Sequence, residues 1–113
     1  MHEMSLLQGV LEIIEDMAVK EQFTRVKSVW LEIGALSGVE PEAMRFCFDA
    51  VMHGTLAQGA RLEIVNIPGS GFCKPCGKTI ELAQLYDPCP HCQNFQVQPA
   101  SGMEMRVKEL EVE

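Results

Sequence analysis

A chain of 113 residues with 47% apolar content has room for one domain, or a small domain with a sub-module, and is too apolar for disorder. Sixteen acidic against nine basic side chains give a formal charge of −7, which disfavours sequence-independent binding to nucleic acid and docking on anionic membranes and leaves basic protein surfaces and metal cations as compatible partners. No apolar run is long enough to span a bilayer, and the N-terminus has neither the positive region nor the cleavage site of a signal peptide, so a cytoplasmic location is expected.

Leu6, Leu7, Val10, Ile13, Ile14, Met17 and Ala18 recur at helical spacing, with Glu12, Glu15, Asp16 and Lys20 on the other face. The period predicts a helix over about Ser5 to Glu21, with four residues ahead of it. Val26 to Ile33 is strand-like: Val29, Leu31 and Ile33 share one face, Val26 and Trp30 the other. Gly34 and the segment Ser37-Gly38-Val39-Glu40-Pro41 break that strand. Pro41 suits the first turn of a second helix, and Glu40 and Glu42 favour its positive end. This helix is expected to run to about His53, burying Met44, Cys47, Phe48, Val51 and Met52, with Gly54 as its stop. Thr55 to Ala60 reads as a loop and Arg61 to Ile67 as a second strand.

Pro68-Gly69-Ser70-Gly71 reads as a joint, beyond which cysteine, proline and glycine rise and the helical period vanishes. A strand signal returns from Gly102 onward. Met103, Met105 and Val107 alternate in one phase, Leu110 and Val112 in the other. One extra residue near Lys108-Glu109, a β-bulge, reconciles them. The fold expected is α+β: two helices packed on a three-stranded sheet, with an inserted zinc-ribbon-like module. The α+β domain takes residues 1–69 and 101–113, and the module 70–100.

Five cysteines occur, Cys47, Cys73, Cys76, Cys89 and Cys92. In a reducing cytosol, paired CxxC units mark metal sites more often than disulfides. Cys73-Lys74-Pro75-Cys76-Gly77 and Cys89-Pro90-His91-Cys92 are knuckles with twelve residues between them. Each CxxC turn sets two sulfurs on one side of a tight loop, and two facing turns complete the tetrahedron of structural zinc. Four thiolates leave no open position for catalysis, and the chain shows no nucleophile–base arrangement or phosphate loop, so an enzyme is not expected. Iron bound as in rubredoxin also fits the spacing. Zinc as a staple is favoured, because about thirty residues cannot build a core of their own. Gly77 suits the turn after the first knuckle, whereas Gln93 in the matching place makes the second less typical. His91 reads as a solvent-facing knuckle residue, Cys47 as an inert core thiol, and His53 as a helix-end residue.

At the start of the chain, the Met1 amine, the His2 backbone amide and the His2 imidazole Nδ1 can close two fused chelate rings around one metal. Glu3 adds a backbone nitrogen and a carboxylate. Copper(II) and nickel(II) tolerate such planar nitrogen coordination; zinc and magnesium fit poorly. The site needs Met1 retained with its amine free, and the large second residue favours retention. With an α-amine pKa near about 8, acid is expected to weaken binding. A frayed terminus with an exposed histidine is the plain alternative.

The stretches MHEMSLLQGVLEII, VWLEIGALSGVEPEAMRFCFDAV and GTLAQGARLEI, with both knuckles and the terminal strand, together resemble the HypA/HybF nickel metallochaperones of nickel-iron hydrogenase maturation, and look closest to HybF. The resemblance covers essentially the whole chain. It implies a nickel site at His2, assisted by Glu3 and the Met1 amine, and structural zinc on Cys73, Cys76, Cys89 and Cys92. It implies delivery of nickel, with a HypB-type GTPase, to the precursor of a hydrogenase large subunit. A homodimer stays open; nucleic acid and membrane are not among the expected partners. Some members carry a histidine beside each knuckle for pH sensing; here the first knuckle reads Lys74-Pro75 and only His91 is present, so the resemblance does not carry a switch of that kind over to this chain. The competing reading is a zinc-ribbon interaction or regulatory module without nickel transfer.

Overall fold

The computed structural model describes residues 2–113. In chain order the elements are α1 (His2–Glu21), β1 (Val26–Gly34), α2 (Pro41–Met52), β2 (Arg61–Ile67), β3 (Gly69–Cys73), β4 (Lys78–Leu82), β5 (Val97–Ser101) and β6 (Met105–Val112). The strands form two three-stranded sheets, ordered β2-β1-β6 and β4-β3-β5. The class is α+β, as the periodicities require. The first sheet contains the strands that alternation marks. The second lies where the sequence offers only a joint and a cysteine module: Gly69 to Gly71, read as part of the joint, are the first residues of β3.

Two compact units emerge. One comprises the residues up to Leu31 with Glu40–Val65 and Val107–Glu113; the other comprises Glu32–Val39 with Asn66–Arg106.

In the first unit α1 begins at His2, three residues earlier than the apolar period suggests. Neither Gly nor Pro interrupts His2 to Met4, and Glu3 favours the positive helix end. The buried stripe is Leu7, Val10, Leu11 and Ile14, spaced i, i+3, i+4, i+7. Leu11 takes the core place expected for Ile13, which is 48% exposed. α2 follows its expectation closely. Pro41 starts it, Met44, Cys47, Phe48, Val51 and Met52 are its buried residues, and His53 closes it before Gly54 at φ +76°. α1 packs on α2, and their apolar faces, with Val26, Val29 and Leu31 of β1, make the core. Ser28 is buried, and its hydroxyl donates to Glu111 Oε1 at 2.9 Å, which removes the cost of an unpaired polar group. In β6, Met105, Val107 and Leu110 are half-buried, with Lys108 and Glu109 both exposed between the last two. The burial therefore slips phase where the alternation does.

In the second unit β3 pairs antiparallel with β4, Gly69 opposite Leu82 and Cys73 opposite Lys78. It also pairs antiparallel with β5, Cys73 opposite Val97 and Gly71 opposite Pro99. The buried cluster is Leu36, Cys73, Ile80, Leu82 and Cys89, with Cys76 and Val97 packed against it. Leu36 reaches this cluster through a backbone bond, its N–H donating to Gly102 O at 2.7 Å.

Candidate metal centres

The first knuckle is the turn of the β3–β4 hairpin. Cys73 is the last residue of β3, and Gly77 N–H closes the turn on Cys73 O at 2.8 Å and on Lys74 O at 3.2 Å. The second knuckle repeats it: Gln93 N–H donates to Cys89 O at 2.8 Å. Gly77 at φ +67° and Gln93 at φ +62° hold the same left-handed conformation. The glycine–glutamine asymmetry seen in the sequence is thus one of strain and not of shape. Cys89 N–H is fixed by Asn94 O at 2.9 Å, and Lys74 N–H by Gln96 O at 3.2 Å, so both loops are tied at their edges.

All four sulfurs lie within 4.8 Å of one another. Cys73 and Cys92 are 3.6 Å apart, Cys76 and Cys89 3.9 Å. A zinc ion with Zn–S bonds of about 2.3 Å sets tetrahedral S···S edges of about 3.8 Å. The two distances straddle that value and far exceed the S–S bond of about 2.05 Å in a disulfide. Donor set, spacing and closure therefore fit a structural four-thiolate ion with no open position. No other group of three or more ligating side chains, among the described residues, is placed to hold an ion.

Without metal the thiols differ. Burial pushes Cys73 up. Cys76 is pushed up to about 12, first by the Cys92 sulfur and then by burial. Burial also opposes ionisation of Cys89, but the amides of Cys92 and His91 outweigh it and bring that thiol down to about 7. The His91 amide lies 3.4 Å from Cys89 Sγ. His91 itself is exposed, as expected for a knuckle residue.

At the chain start, His2 and Glu3 occupy the first turn of α1. The His2 side chain is 60% exposed and the Glu3 side chain 14%, and His2 Nδ1 lies 3.5 Å from Glu3 Oε2. Glu3's own backbone amide, then the Glu40 amide and the His2 ring, hold its carboxyl below the ordinary value of 4.5 against a burial penalty. Glu40, read from sequence only as a helix-start residue, thus meets the MHE segment across the α1–α2 pair. No local pattern signals that meeting, because it depends on how two helices pack. Met1, whose amine completes the chelate considered above, lies outside the described residues.

A family model described as "Hydrogenase/urease nickel incorporation, metallochaperone, hypA" matches residues 1–112. Curated relatives called hydrogenase maturation factor HypA match end to end. That of Albidiferax ferrireducens is 59% identical over 113 residues and that of Rhodopseudomonas palustris strain BisA53 60%, with 100% of both chains covered in each case. Among solved structures, the solution structure of the Ni metallochaperone HypA from Helicobacter pylori superposes with a TM-score of 0.71 at 27% identity, covering 97% of this chain and 96% of that one. Another, titled solution structure of HypA protein, gives 0.70 at 28% identity, covering 99% and 96%.

Proposed function

Since the chain belongs to the HypA family of nickel metallochaperones of hydrogenase maturation, we propose that it carries Ni(II) at its N-terminus, on His2 with Glu3 and the Met1 amine, and passes it with a HypB-type GTPase to the precursor of a hydrogenase large subunit. Its part is carriage, not catalysis; it is a metallochaperone and not an enzyme. Within the family we assign it to the HybF-like branch, on the stretches quoted above, and to the cytoplasm.

The exposed His2 ring beside a held Glu3 carboxylate is the observation that carries this reading. A cargo site must hold a metal without enclosing it. His2 opens α1, where N–H groups have no intrahelical acceptor, so its amide is free to serve as a ligand. Nickel bound through Nδ1 replaces the Glu3 contact and releases that carboxylate toward the metal. The positive end of α1 opposes a dication, which keeps the site weak and releasable. The four-cysteine centre takes resident zinc, held by Cys73, Cys76, Cys89 and Cys92, and it supplies cohesion to its unit, not chemistry. Glu12, Glu15 and Asp16 are exposed on α1 and Ile13 is half exposed beside them. Together they offer an acidic face with an apolar anchor to a basic patch on the GTPase.

Nickel titration of the native protein beside His2→Ala tests the proposal. The variant is expected to lose saturable one-to-one nickel binding while zinc content and thermal unfolding stay native. Residues added ahead of Met1 are expected to weaken binding as well. Nickel affinity unchanged by His2→Ala sinks the N-terminal site and leaves a zinc-ribbon interaction module. Metal analysis and colour of the purified protein separate zinc from iron.

A further inference from the structure

Two turns of the cysteine module each hold an exposed aromatic at the tip. Tyr86 is 88% exposed and Phe95 74%. Neither has a packing duty in the buried cluster of that unit. Both turns are fixed by paired hydrogen bonds. Gln84 N–H donates to Asp87 Oδ2 and Asp87 N–H to Gln84 O, each at 3.2 Å, closing the loop that carries Leu85 and Tyr86. Gln96 N–H donates to Asn94 Oδ1 at 2.7 Å, while Asn94 O accepts from Cys89 N–H, bracketing Phe95. The backbone of each turn is thus held in place before a partner arrives, which lowers the entropy cost of binding there, and exposed aromatics often dominate interface energetics.

Between the tips runs a trough of about 400 Å³ lined by Leu85, Tyr86, Asp87, Phe95, Val97 and Pro99. It continues past Phe95 into a second hollow of about 380 Å³ that ends at Lys74. The floor of both is the edge strand β5. Lys74 N–H donates to Gln96 O, and alternation from there turns the backbone groups of Gln96 and Gln98 toward β3 and those of Val97 and Pro99 toward the open side. Pro99 has no N–H, so a strand added here lacks a ladder bond, the usual device against edge pairing. Side-chain recognition is left. Hollows on either side of an aromatic ridge suit a polyproline II segment, whose ridges recur every three residues and whose extended form is already ordered. The charges set the polarity: Asp87 at one end and Lys74 at the other. The net charge of −7 favours a partner segment that is basic.

We propose that the trough between Tyr86 and Phe95, along the proline-blunted edge of β5, docks an extended proline-containing segment of a partner protein, with a basic residue of that segment set against Asp87.

The test uses the zinc-loaded, nickel-free full chain, labelled for amide NMR, so its outcome is separate from that of the nickel reading. Probes are a proline-rich peptide with a terminal arginine, the same peptide with glutamate in place of the arginine, and a threonine–valine peptide of β type. The arginine peptide is expected to give saturable shifts confined to Leu85–Asp87 and Phe95–Gln98, with the glutamate version weaker by about tenfold. Tyr86→Ser and Phe95→Ser, changes at exposed tips, are each expected to weaken binding about tenfold with zinc content and thermal unfolding unchanged. No saturable shift at millimolar arginine peptide overturns the proposal. So does equal binding by the threonine–valine peptide, or undiminished binding by both variants. Self-association abolished by Tyr86→Ser overturns it too, because the occupant is then a second copy.

Discussion

Gln93 sits at φ +62°, the value Gly77 takes at the same place in the other knuckle. A residue with a Cβ costs about 1 kcal/mol there, and the long Gln93 bond to Pro90 O, 3.5 Å, offsets little of it. Gln93→Gly is therefore expected to stabilise the zinc-loaded protein by about 0.5–1 kcal/mol, and Gly77→Ala, with no atom within 4 Å of its new Cβ, to destabilise it by about 1 kcal/mol. Thermal unfolding of both variants checks the pair; shifts of the same sign remove the backbone account. A second expectation at this scale concerns protons. In the metal-free site Cys89 titrates near 7, below the ordinary thiol value, while Cys73 and Cys76 lie above it. A metal must displace every proton still bound. Cys73 and Cys76 each release one across the neutral range, but Cys89 releases one below its pKa and little above. Calorimetry of zinc binding in buffers of differing ionisation enthalpy is expected to show the protons released per ion falling by most of one between about pH 6 and about pH 8. A constant count across that range removes the amide-stabilised Cys89 thiolate.

Elements differ in how openly their sequence declares them. α2 could be read almost residue for residue, because Pro41 and Gly54 punctuate it and five apolar positions share one face. In α1 the end at Glu21 and the stripe residues Leu7, Val10 and Ile14 are legible, but the start at His2 and the burial of Leu11 are not: Leu6, Ile13 and Met17 form an apolar flank beside the stripe, and only packing selects between them. The β3–β4–β5 sheet was hidden. Its strands have five residues each, and one, GSGFC, has glycine at two of its five positions. A faint signal existed in Lys78-Thr79-Ile80-Glu81-Leu82, where Ile80 and Leu82 are buried and their neighbours exposed. Glycine at the end of β1 has a reason visible only in three dimensions. A Cβ on Gly34 falls on the carbonyl of Gly102, whose own Cβ meets Pro68 O and Gly69 Cα. Backbone cannot yield as a side-chain tip can. Gly34→Ala is expected to cost about 3 kcal/mol or more. Gly38→Ala, at φ +77° in open space, is expected to cost about 1 kcal/mol. Denaturant midpoints of the two variants decide it: equal losses mean that the close approach at Gly34 relaxes without penalty.

For the molecule as a whole, the two units differ in what makes them cohere. The first has a core of apolar side chains, Leu7, Val10, Ile14, Val29, Leu31, Met44, Phe48 and Met52, all at 2% exposure or less. Paired knuckles marked the second unit's candidate metal centre in the sequence, and the fold brings their four sulfurs together. Its membership was less legible: Leu36, which the sequence placed in a break, belongs to the same buried cluster as Cys73 and Cys89. Two of the five residues of that cluster are cysteines of the candidate metal centre. Removing the metal leaves sulfurs that resist ionisation at two positions and a cluster of Leu36, Ile80 and Leu82 too small to offset the entropy of ordering the segment. A chelator at neutral pH is therefore expected to abolish hydrogen-exchange protection through Gly69–Ser101 and at the Leu36 amide. Amides in α1, α2 and the first residues of β1 are expected to keep theirs, because nothing in their core depends on the ion. Hydrogen exchange on the chelated protein, read residue by residue, separates the possibilities. Protection retained in β3 and β4 means that the sheet stands without metal. Protection lost everywhere at once means that the zinc centre is a condition for the whole fold, and the apolar core of the first unit is then not sufficient by itself.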